Sequence, residues 1–269
     1  MFRIDDNGIG YDTMEVRSAD TDRFFTAKVP FFFSALQEAA AKHSTLLHCG
    51  IPEFVATENK TWVIVRAKMT VEKLPAWMDN VNIETWAEQP FKLFAPRLVT
   101  GKADDGTVFF NTISHWVVID ISRKRPIRPD EALRYFTLPG KDVRFIDPDI
   151  GRFKVADDFT GHRLPDFKPV TNYYDTDTNE HINNISYVNW VCDAFPFYFM
   201  DSHRIRTIDC HWAKQTFNGD DLVVETYADS EDPASEDNPG FFSRVMKREA
   251  DGSLVTAFEA ETSWVRRDQ

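Results

Sequence analysis

The sequence contains few cysteines, no long hydrophobic run and fewer positive than negative charges. Its three cysteines, Cys49, Cys192 and Cys210, fit neither a disulfide scheme nor the spacing of a metal site. The balance of 31 Lys and Arg against 43 Asp and Glu gives a net charge of -12. This charge disfavours nucleic acid as a partner, because phosphate binding needs a basic surface.

The same absences indicate the cellular compartment in which the protein is expected. Its first residues carry acids and no apolar run, which argues against a signal peptide. No segment is long and apolar enough to cross a bilayer. Unpaired cysteines fit a reducing compartment. We therefore expect a cytoplasmic protein that uses no metal or cofactor and has no membrane or nucleic acid as partner.

Aromatic residues, in contrast, are abundant. The chain is 42% hydrophobic and 14% aromatic, with 23 Phe and 7 Trp, which is typical of a globular protein. Its 269 residues are enough for one large core or two ordinary ones. The aromatic residues could fill these cores or line a pocket for an apolar ligand.

One polar stretch, DTDTNEHINNISYVNW, stands out at residues 175–190. Asp177, Asn179 and His181 occupy every second position, so in an extended backbone their side chains would share one face. A helix is predicted directly after them, with Asn183 or Asn184 as its N-cap. The N-terminus of a helix stabilises developing negative charge, so the stretch is a candidate active site.

The helix is predicted from apolar residues that recur at three- and four-residue steps, as expected for one buried face. They are Ile185, Val188, Cys192, Phe195 and Phe199.

The order of a helix followed by strands occurs twice. The first helix starts near Pro30 and ends before Gly50, and strands are predicted within 61–74, 81–88, 92–106 and 107–122. After the second helix, strands are predicted within 204–214, 220–229, 240–252 and 253–267. The frames WMDNVNIETWAE and FNGDDLVVETYAD echo each other, so we interpret the chain as two equivalent modules.

The modules are predicted at residues 1–130 and 169–269, joined by a linker at 131–168 with a short helix near residues 130–135. The first copy has TDRFFTAKVP before its helix and lacks the D-x-N-x-H pattern. Polar residues in one copy only suggest one active site per chain. The other copy would then shape the pocket.

The chain resembles the acyl-acyl-carrier-protein thioesterases in three sequence blocks, which occur in the same order as in that family. The blocks are ENKTWVIVRAKMTVEKLPAWMDNVNIETW, SHWVVIDISRKRPIRP and DTDTNEHINNISYVNW. The resemblance implies an α+β double hotdog fold, with the acyl pocket in the first module and the catalytic residues in the second. It also implies hydrolysis of fatty acyl-acyl-carrier protein by an activated water, with the carrier protein as partner and a monomer or homodimer as the assembly.

The resemblance assigns catalysis to Asp177, Asn179 and His181. Farther along, the family has an acid followed by Cys, where this chain has Gln215 and Thr216. A cysteine nucleophile is thus excluded at that position, and Gln215 can orient water or substrate but cannot act as a base. We expect Asp177 and His181 to activate water and Asn179 to position the carbonyl.

Further residues are expected to contact the substrate. Backbone amides near Asn183 and Asn184 would stabilise the oxyanion, Thr216 would lie beside the site, and Trp62 would line the acyl pocket or simply belong to the core. One basic cluster could steer an acidic carrier protein, although a solvated loop is an equal interpretation. Its members are Arg123, Lys124, Arg125 and Arg128.

Three other functions remain open at this point. An enoyl-thioester hydratase of the same fold would place Asp and His five residues apart with a proline between them, whereas Asp177 and His181 are four apart without one. An acyl-CoA thioesterase could have an identical reacting centre. A non-catalytic acyl-binding module would agree with Gln215 in place of an acid.

Overall fold

The computed structural model describes residues 1–140, 150–151, 153 and 161–267 of the chain, without the side chain of residue 131. These residues divide into two units, Met1–Gly151 and Arg152–Gln269. Most of the centre of the predicted linker, at 141–149, 152 and 154–160, lies outside the described residues.

Unit 1 is an antiparallel sheet with helices. Its strands follow the spatial order β1-β2-β4-β5-β6-β3, and β7 pairs with β6. The elements are β1 (Arg3–Ile4), β2 (Gly10–Glu15), α1 (Val29–Leu46), α2 (Ile51–Glu58), β3 (Lys60–Val71), β4 (Asn80–Ala87), β5 (Ala95–Lys102), β6 (Val108–Asp120), β7 (Arg125–Ile127) and α3 (Asp130–Leu133).

The helix α1 forms the centre of unit 1 because its apolar face is buried against the sheet. Pro30 lies in its first turn, where a missing backbone N–H costs nothing. Phe32 is fully buried and packs edge-on against Phe110 of β6, with 5.3 Å between ring centroids. The helix α2 was not predicted, although Gly50 at its N-cap and Pro52 in its first turn are typical helix-start residues.

Unit 2 repeats this plan with its own sheet, in the order β9-β12-β11-β10-β8. Its elements are β8 (His162–Arg163), α4 (Asn184–Asp193), α5 (Phe197–Ser202), β9 (His203–Trp212), β10 (Leu222–Ala228), β11 (Gly240–Arg248) and β12 (Leu254–Arg266).

The helix α4 packs on this second sheet through Tyr187, whose ring lies 5.5 Å from that of Phe258 on β12. The predicted single helix is broken into α4 and α5, because Pro196 removes a backbone donor and becomes the N-cap of α5. Phe195 and Phe199, on either side of the break, are both buried, so the apolar face continues across it.

Both ends of the predicted linker pack into the units. At one end, Ala132 of the short helix α3 is buried in a cluster with Phe54 and Val118 of unit 1. At the other end, β8 pairs with β10, and Phe167 forms a bridge with Val224.

Among the described residues no helix has the length and hydropathy required to span a membrane. The three cysteines are free thiols. Burial raises the pKa of Cys49 and of Cys192 to about 12, so both thiols stay protonated at neutral pH.

Candidate active site

The stretch with Asp177, Asn179 and His181 is a tight turn. Thr176 and Ile182 form an antiparallel bridge across it, and the amide of Asp177 donates to the carbonyl oxygen of His181 at 2.8 Å. The amide of Glu180 donates to the carbonyl oxygen of Asp177 at 3.1 Å, and Glu180 has a φ of 62°. The predicted extended backbone with three side chains on one face is therefore wrong.

The carboxylate of Asp177 closes this turn. Its Oδ1 accepts the backbone N–H of Asn179 at 2.8 Å and that of His181 at 3.1 Å. Short polar side chains favour such turns because they bond to backbone groups two to four residues on. Asp177 thus accepts the backbone N–H of His181 and thereby holds the backbone from which the imidazole side chain extends.

The side chains of Asn179 and His181 are open to reaction. Asn179 is exposed, and His181 is half-buried with its ring 5.0 Å from that of Phe217 at an angle of 61°. Across the described part of the chain, no protein group hydrogen-bonds to the imidazole of His181. Both of its nitrogens are consequently available to a water or a substrate.

The turn leads directly into the N-terminus of α4. Asn183 is the N-cap, as predicted, and its side chain accepts from the amide of Ile185 at 2.9 Å. The amide of Ser186 donates to the carbonyl oxygen of Asn183 at 3.0 Å. The amide of Asn183 donates to the carbonyl oxygen of Asp175 at 2.7 Å. Of these first amides, only that of Asn184 lacks an acceptor among the residues described, so it can donate to a developing oxyanion.

Residues 215–217 support the turn from one side. The amide of Ile182 donates to the carbonyl oxygen of Thr216 at 2.9 Å. Gln215 is exposed, whereas Thr216 is fully buried, and its hydroxyl lies 2.6 Å from that of Tyr187. The predicted substrate contact of Thr216 is therefore replaced by a supporting role, because its side chain faces the core.

Tyr187 completes this support, and sequence reasoning missed it. Its hydroxyl also accepts the backbone N–H of Thr216 at 3.1 Å. Burial raises the pKa of Tyr187, so the phenol remains neutral. The usable signal was a tyrosine next to Val188 of the predicted apolar face, since a buried hydroxyl requires a partner.

Trp62 lies on β3 in unit 1, within an apolar cluster. Its ring stacks on Phe54 at 5.7 Å, and its indole N–H donates to the carbonyl oxygen of Cys49 at 3.1 Å. It is half-buried, and Phe136 packs edge-on at 6.4 Å.

The predicted basic cluster lies at the hairpin between β6 and β7. The side chains of Arg123, Lys124, Arg125 and Arg128 are all exposed. The carboxylate of Asp120 accepts from the amide of Arg123 at 2.9 Å and lies 3.8 Å from its guanidinium. The cluster is therefore a solvated, positively charged projection of unit 1.

Other histidines are less suited to proton transfer. His43 on α1 is fully buried, and its Nδ1 lies 2.9 Å from the guanidinium of Arg97. Burial and this guanidinium lower the pKa of His43 to about 2, so it stays neutral. His211 is half-buried and lies 3.4 Å from Glu259. Within the described residues no group of three His, Cys, Asp or Glu could hold a metal ion.

Unit 1 contains a second copy of the turn. Thr21 and Ala27 form the bridge, and Oδ1 of Asp22 accepts the backbone N–H of Phe24 at 2.9 Å and that of Thr26 at 3.1 Å. The amide of Asp22 donates to the carbonyl oxygen of Thr26 at 2.8 Å, and Phe25 has a φ of 60°. The turn at 21–27 therefore has the hydrogen bonds of the turn at 176–182.

The supporting segment is duplicated as well. The amide of Ala27 donates to the carbonyl oxygen of Pro75 at 2.9 Å, as that of Ile182 does to Thr216. Downstream, Oδ2 of Asp79 accepts the backbone N–H of Ala76 at 2.8 Å. In the same way, Oδ2 of Asp220 accepts the backbone N–H of Phe217 at 2.8 Å. From the sequence, TDRFFTAKVP was placed at the corresponding position of the first copy but was not predicted to form the same turn, although the shared Thr-Asp dipeptide was a usable signal.

Comparison with protein families places both units in one family. The model for the acyl-ACP thioesterase N-terminal domain matches residues 11–135, and the model for the C-terminal domain matches residues 166–264. A curated relative is the chloroplastic oleoyl-acyl carrier protein thioesterase 2 of Arabidopsis thaliana. It is 25% identical over 245 residues, which cover 86% of this chain and 66% of the relative. The chain thus spans about two thirds of the length of the curated relatives it matches.

Solved structures agree with the architecture. An acyl-ACP thioesterase from Bacteroides thetaiotaomicron has a TM-score of 0.77 at 21% identity, covering 96% of this chain and 98% of that one. The 12:0-ACP thioesterase from Umbellularia californica has a TM-score of 0.79 at 20% identity, with the same coverage. These matches confirm the predicted α+β double hotdog fold.

Proposed function

The chain belongs to the acyl-ACP thioesterase family, and on that premise we propose that it hydrolyses the thioester of fatty acyl-acyl-carrier protein. The products are a free fatty acid and the carrier protein with its thiol restored. The observation that carries the proposal is the polar turn at the N-terminus of α4, with the half-buried imidazole of His181, which has no hydrogen-bond partner among the residues that the structure describes.

In this proposal His181 is the general base and acid. Its imidazole removes a proton from water while the water oxygen attacks the thioester carbonyl carbon. The carbon–sulfur bond then breaks, and the imidazolium returns the proton to the departing sulfur. Such acid–base assistance contributes about 10² to 10⁴ in rate.

The developing oxyanion is stabilised by the amide of Asn184, which has no acceptor within the described part of the chain. One such donor is worth about 10² to 10³ in rate. The exposed amide side chain of Asn179 positions the substrate carbonyl, and exposed Gln215 orients the water. Asp177 is a positioning residue, because its carboxylate is bonded to backbone N–H groups of the turn.

The carrier protein is proposed to dock on the exposed basic cluster at 123–128. Carrier proteins of this kind are acidic, so local positive charge on a chain of net charge -12 would steer their approach. Reversing all four charges should raise KM for acyl-carrier protein much more than KM for a short acyl-pantetheine thioester. An equal effect on both substrates would contradict docking at this cluster.

A turnover assay tests the function itself. Purified chain is given acyl-carrier proteins of graded acyl length, with the matching CoA esters measured alongside. We expect release of free fatty acid, with a higher kcat/KM for the carrier-protein esters. Higher turnover of the CoA esters would indicate an acyl-CoA thioesterase instead, and stable binding without hydrolysis would indicate an acyl-binding module.

Trp62 is proposed to form part of the acyl pocket, on the basis of its apolar surroundings in unit 1. Trp62→Ala should shift the preferred acyl length in the same assay, while leaving turnover of the shortest acyl chains unchanged. A uniform loss at all lengths would instead assign Trp62 to the core.

A further inference from the structure

An exposed apolar surface covers the unit 1 copy of the turn. It consists of Phe24, Phe25, Trp77 and Met78, whose exposed fractions are 42%, 62%, 46% and 67%. We call these four residues the aromatic tip. The ring of Phe25 stacks on that of Trp77 at 5.8 Å, and the amide of Trp77 donates to the carbonyl oxygen of Phe25 at 2.8 Å. In unit 1, the turn at 21–27 and the segment at 75–79 therefore present an apolar surface in which Phe25 and Trp77 are in contact.

Folding does not explain why these residues are large and apolar. Phe25 and Met78 have positive φ values of 60° and 71°, a conformation that favours glycine or asparagine. At the equivalent positions of unit 2 the chain has Glu180 and Gly219, with φ values of 62° and 89°. The same backbone thus forms without apolar side chains, and large exposed apolar patches commonly mark interaction sites.

The exposed charges beside the aromatic tip are mainly positive. On residues 20–28 and 72–79, three cations are exposed, namely Arg23, Lys28 and Lys73. The guanidinium of Arg23 lies 5.0 Å from the ring centroid of Phe24. Glu72 is also exposed. Asp20, Asp22 and Asp79 are half-buried, and Asp20 pairs with Arg17 while Asp22 and Asp79 accept backbone N–H groups. The exposed charged groups of these two segments are therefore three cations and one acid, on a chain of net charge -12.

We propose that the aromatic tip binds the surface of a lipid bilayer that contains anionic phospholipid. Trp and Phe together with Lys and Arg are the residues that anchor proteins in the interfacial region of such bilayers. Four side chains give far less than the roughly 800 Å² per partner of a standard protein–protein interface. The contact is peripheral, and it goes beyond the expectation that no membrane takes part.

Co-sedimentation with vesicles tests the proposal. The variant Phe24→Asn/Phe25→Asn/Trp77→Asn/Met78→Gly replaces the aromatic tip with residues suited to the observed turn conformations, three of them of the type found in unit 2. Wild-type chain should sediment with vesicles of phosphatidylcholine and phosphatidylglycerol at low salt, and much less with phosphatidylcholine alone. The variant should lose at least about tenfold in partition coefficient, since both apolar burial and orientation are removed. Circular dichroism verifies that the variant is folded.

A matched control uses the exposed aromatics of unit 2. Tyr173 and Tyr174 are 84% and 96% exposed, and the equivalent unit 1 residues are Ser18 and Ala19. Tyr173→Ser/Tyr174→Ala should leave vesicle binding unchanged, which separates the aromatic tip from exposed aromatics in general. Lys28→Glu/Lys73→Glu should weaken binding to anionic vesicles only.

Three results would overturn the proposal. They are no sedimentation of wild type with anionic vesicles, equal sedimentation with neutral vesicles, and equal sedimentation of wild type and the aromatic-tip variant. A change in oligomeric state or in KM for acyl-carrier protein, without vesicle binding, would assign the aromatic tip to a protein partner. Because none of the vesicle measurements uses turnover, the test is independent of the proposed hydrolysis.

Discussion

Asp22 in unit 1 and Asp177 in unit 2 each accept two backbone N–H groups with the same oxygen, at 2.9 and 3.1 Å and at 2.8 and 3.1 Å. The side chains carried by the two turns differ completely. Unit 1 presents Phe24 and Thr26 where unit 2 presents Asn179 and His181. Asp22 and Asp177 therefore make the same two backbone bonds, and Asp22 in addition accepts the hydroxyl of Thr26 at 3.1 Å.

The two units also differ in the hydrogen bonds between the helix and the segment that supports the turn. In unit 2, Tyr187 hydrogen-bonds to the hydroxyl and to the backbone N–H of Thr216. In unit 1 the equivalent residues are Phe32 and Pro75, and proline has no N–H. Donor and acceptor are therefore absent together, and neither copy leaves this buried position with an unpaired polar group.

The largest difference between the two copies should be at His181. His181→Ala should lower kcat on acyl-carrier protein by about 10² to 10⁴, because the proton-transfer group is lost. Thr26→Ala, at the same position of unit 1, should leave kcat within a factor of two, because a threonine hydroxyl does not exchange protons as an imidazole does near neutral pH. Steady-state assays on both purified variants make the comparison. A full kcat in His181→Ala would refute the catalytic role.

The paired change at Tyr187 and Thr216 should be next in size. Tyr187→Phe alone leaves the buried N–H and hydroxyl of Thr216 unpaired and should lower the free energy of unfolding by about 1–3 kcal/mol. Adding Thr216→Pro, which recreates the Phe32 and Pro75 pair of unit 1, should recover a large part of this loss. Urea unfolding of the single and double variants gives the coupling. Additive losses would mean that the two copies do not share this packing rule.

Gln215 offers a smaller effect on activity. The equivalent residue of unit 1 is Leu74, which cannot hydrogen-bond to water. Gln215→Leu should lower kcat about tenfold, the rate equivalent of one hydrogen bond in the transition state. KM should change little, since the side chain is assigned to the water. An unchanged kcat would remove Gln215 from the mechanism.

The smallest effects should come from the two aspartates. Asp22→Ala and Asp177→Ala should each lower the free energy of unfolding by about 1 kcal/mol, because each loses the acceptor of two backbone N–H groups. The loss should be somewhat larger for Asp22→Ala, since Asp22 also accepts the hydroxyl of Thr26. Asp177→Asn keeps an acceptor oxygen, so both stability and kcat should be largely retained. A fall in kcat by about 10² or more in Asp177→Asn would show that its charge takes part in proton transfer.

Much of the fold followed from the sequence, because helix and strand periodicities report burial directly. The stripe on α1 and the strands β3–β6 and β9–β12 were predicted within a few residues of their observed limits. The helix α2 is short, with eight residues, and the break before α5 depends on Pro196 in an otherwise continuous apolar pattern. The spacing of apolar residues predicts one continuous helix here and does not show that Pro196 interrupts it.

The conformation of the candidate site was not predicted from the sequence. Alternating Asp177, Asn179 and His181 would share a face only in extended backbone, whereas the carboxylate of Asp177 stabilises a turn. Asn183 or Asn184 was predicted as the N-cap because caps follow a local rule, and Asn183 is the one observed. The roles of Thr216 and Tyr187 depend on a contact between residues far apart in sequence, which the pattern of either segment alone does not specify.

The central claim is that both copies share one frame and that only the unit 2 copy carries the chemistry. The most direct measurement replaces Thr178, Asn179, Glu180 and His181 with the unit 1 residues Arg, Phe, Phe and Thr, and determines stability and kcat on the same preparation. We predict a free energy of unfolding within about 1 kcal/mol of wild type, since the turn bonds are backbone-based, and a kcat lower by at least about 10². Substantial remaining turnover, or a chain that no longer folds, would contradict the account.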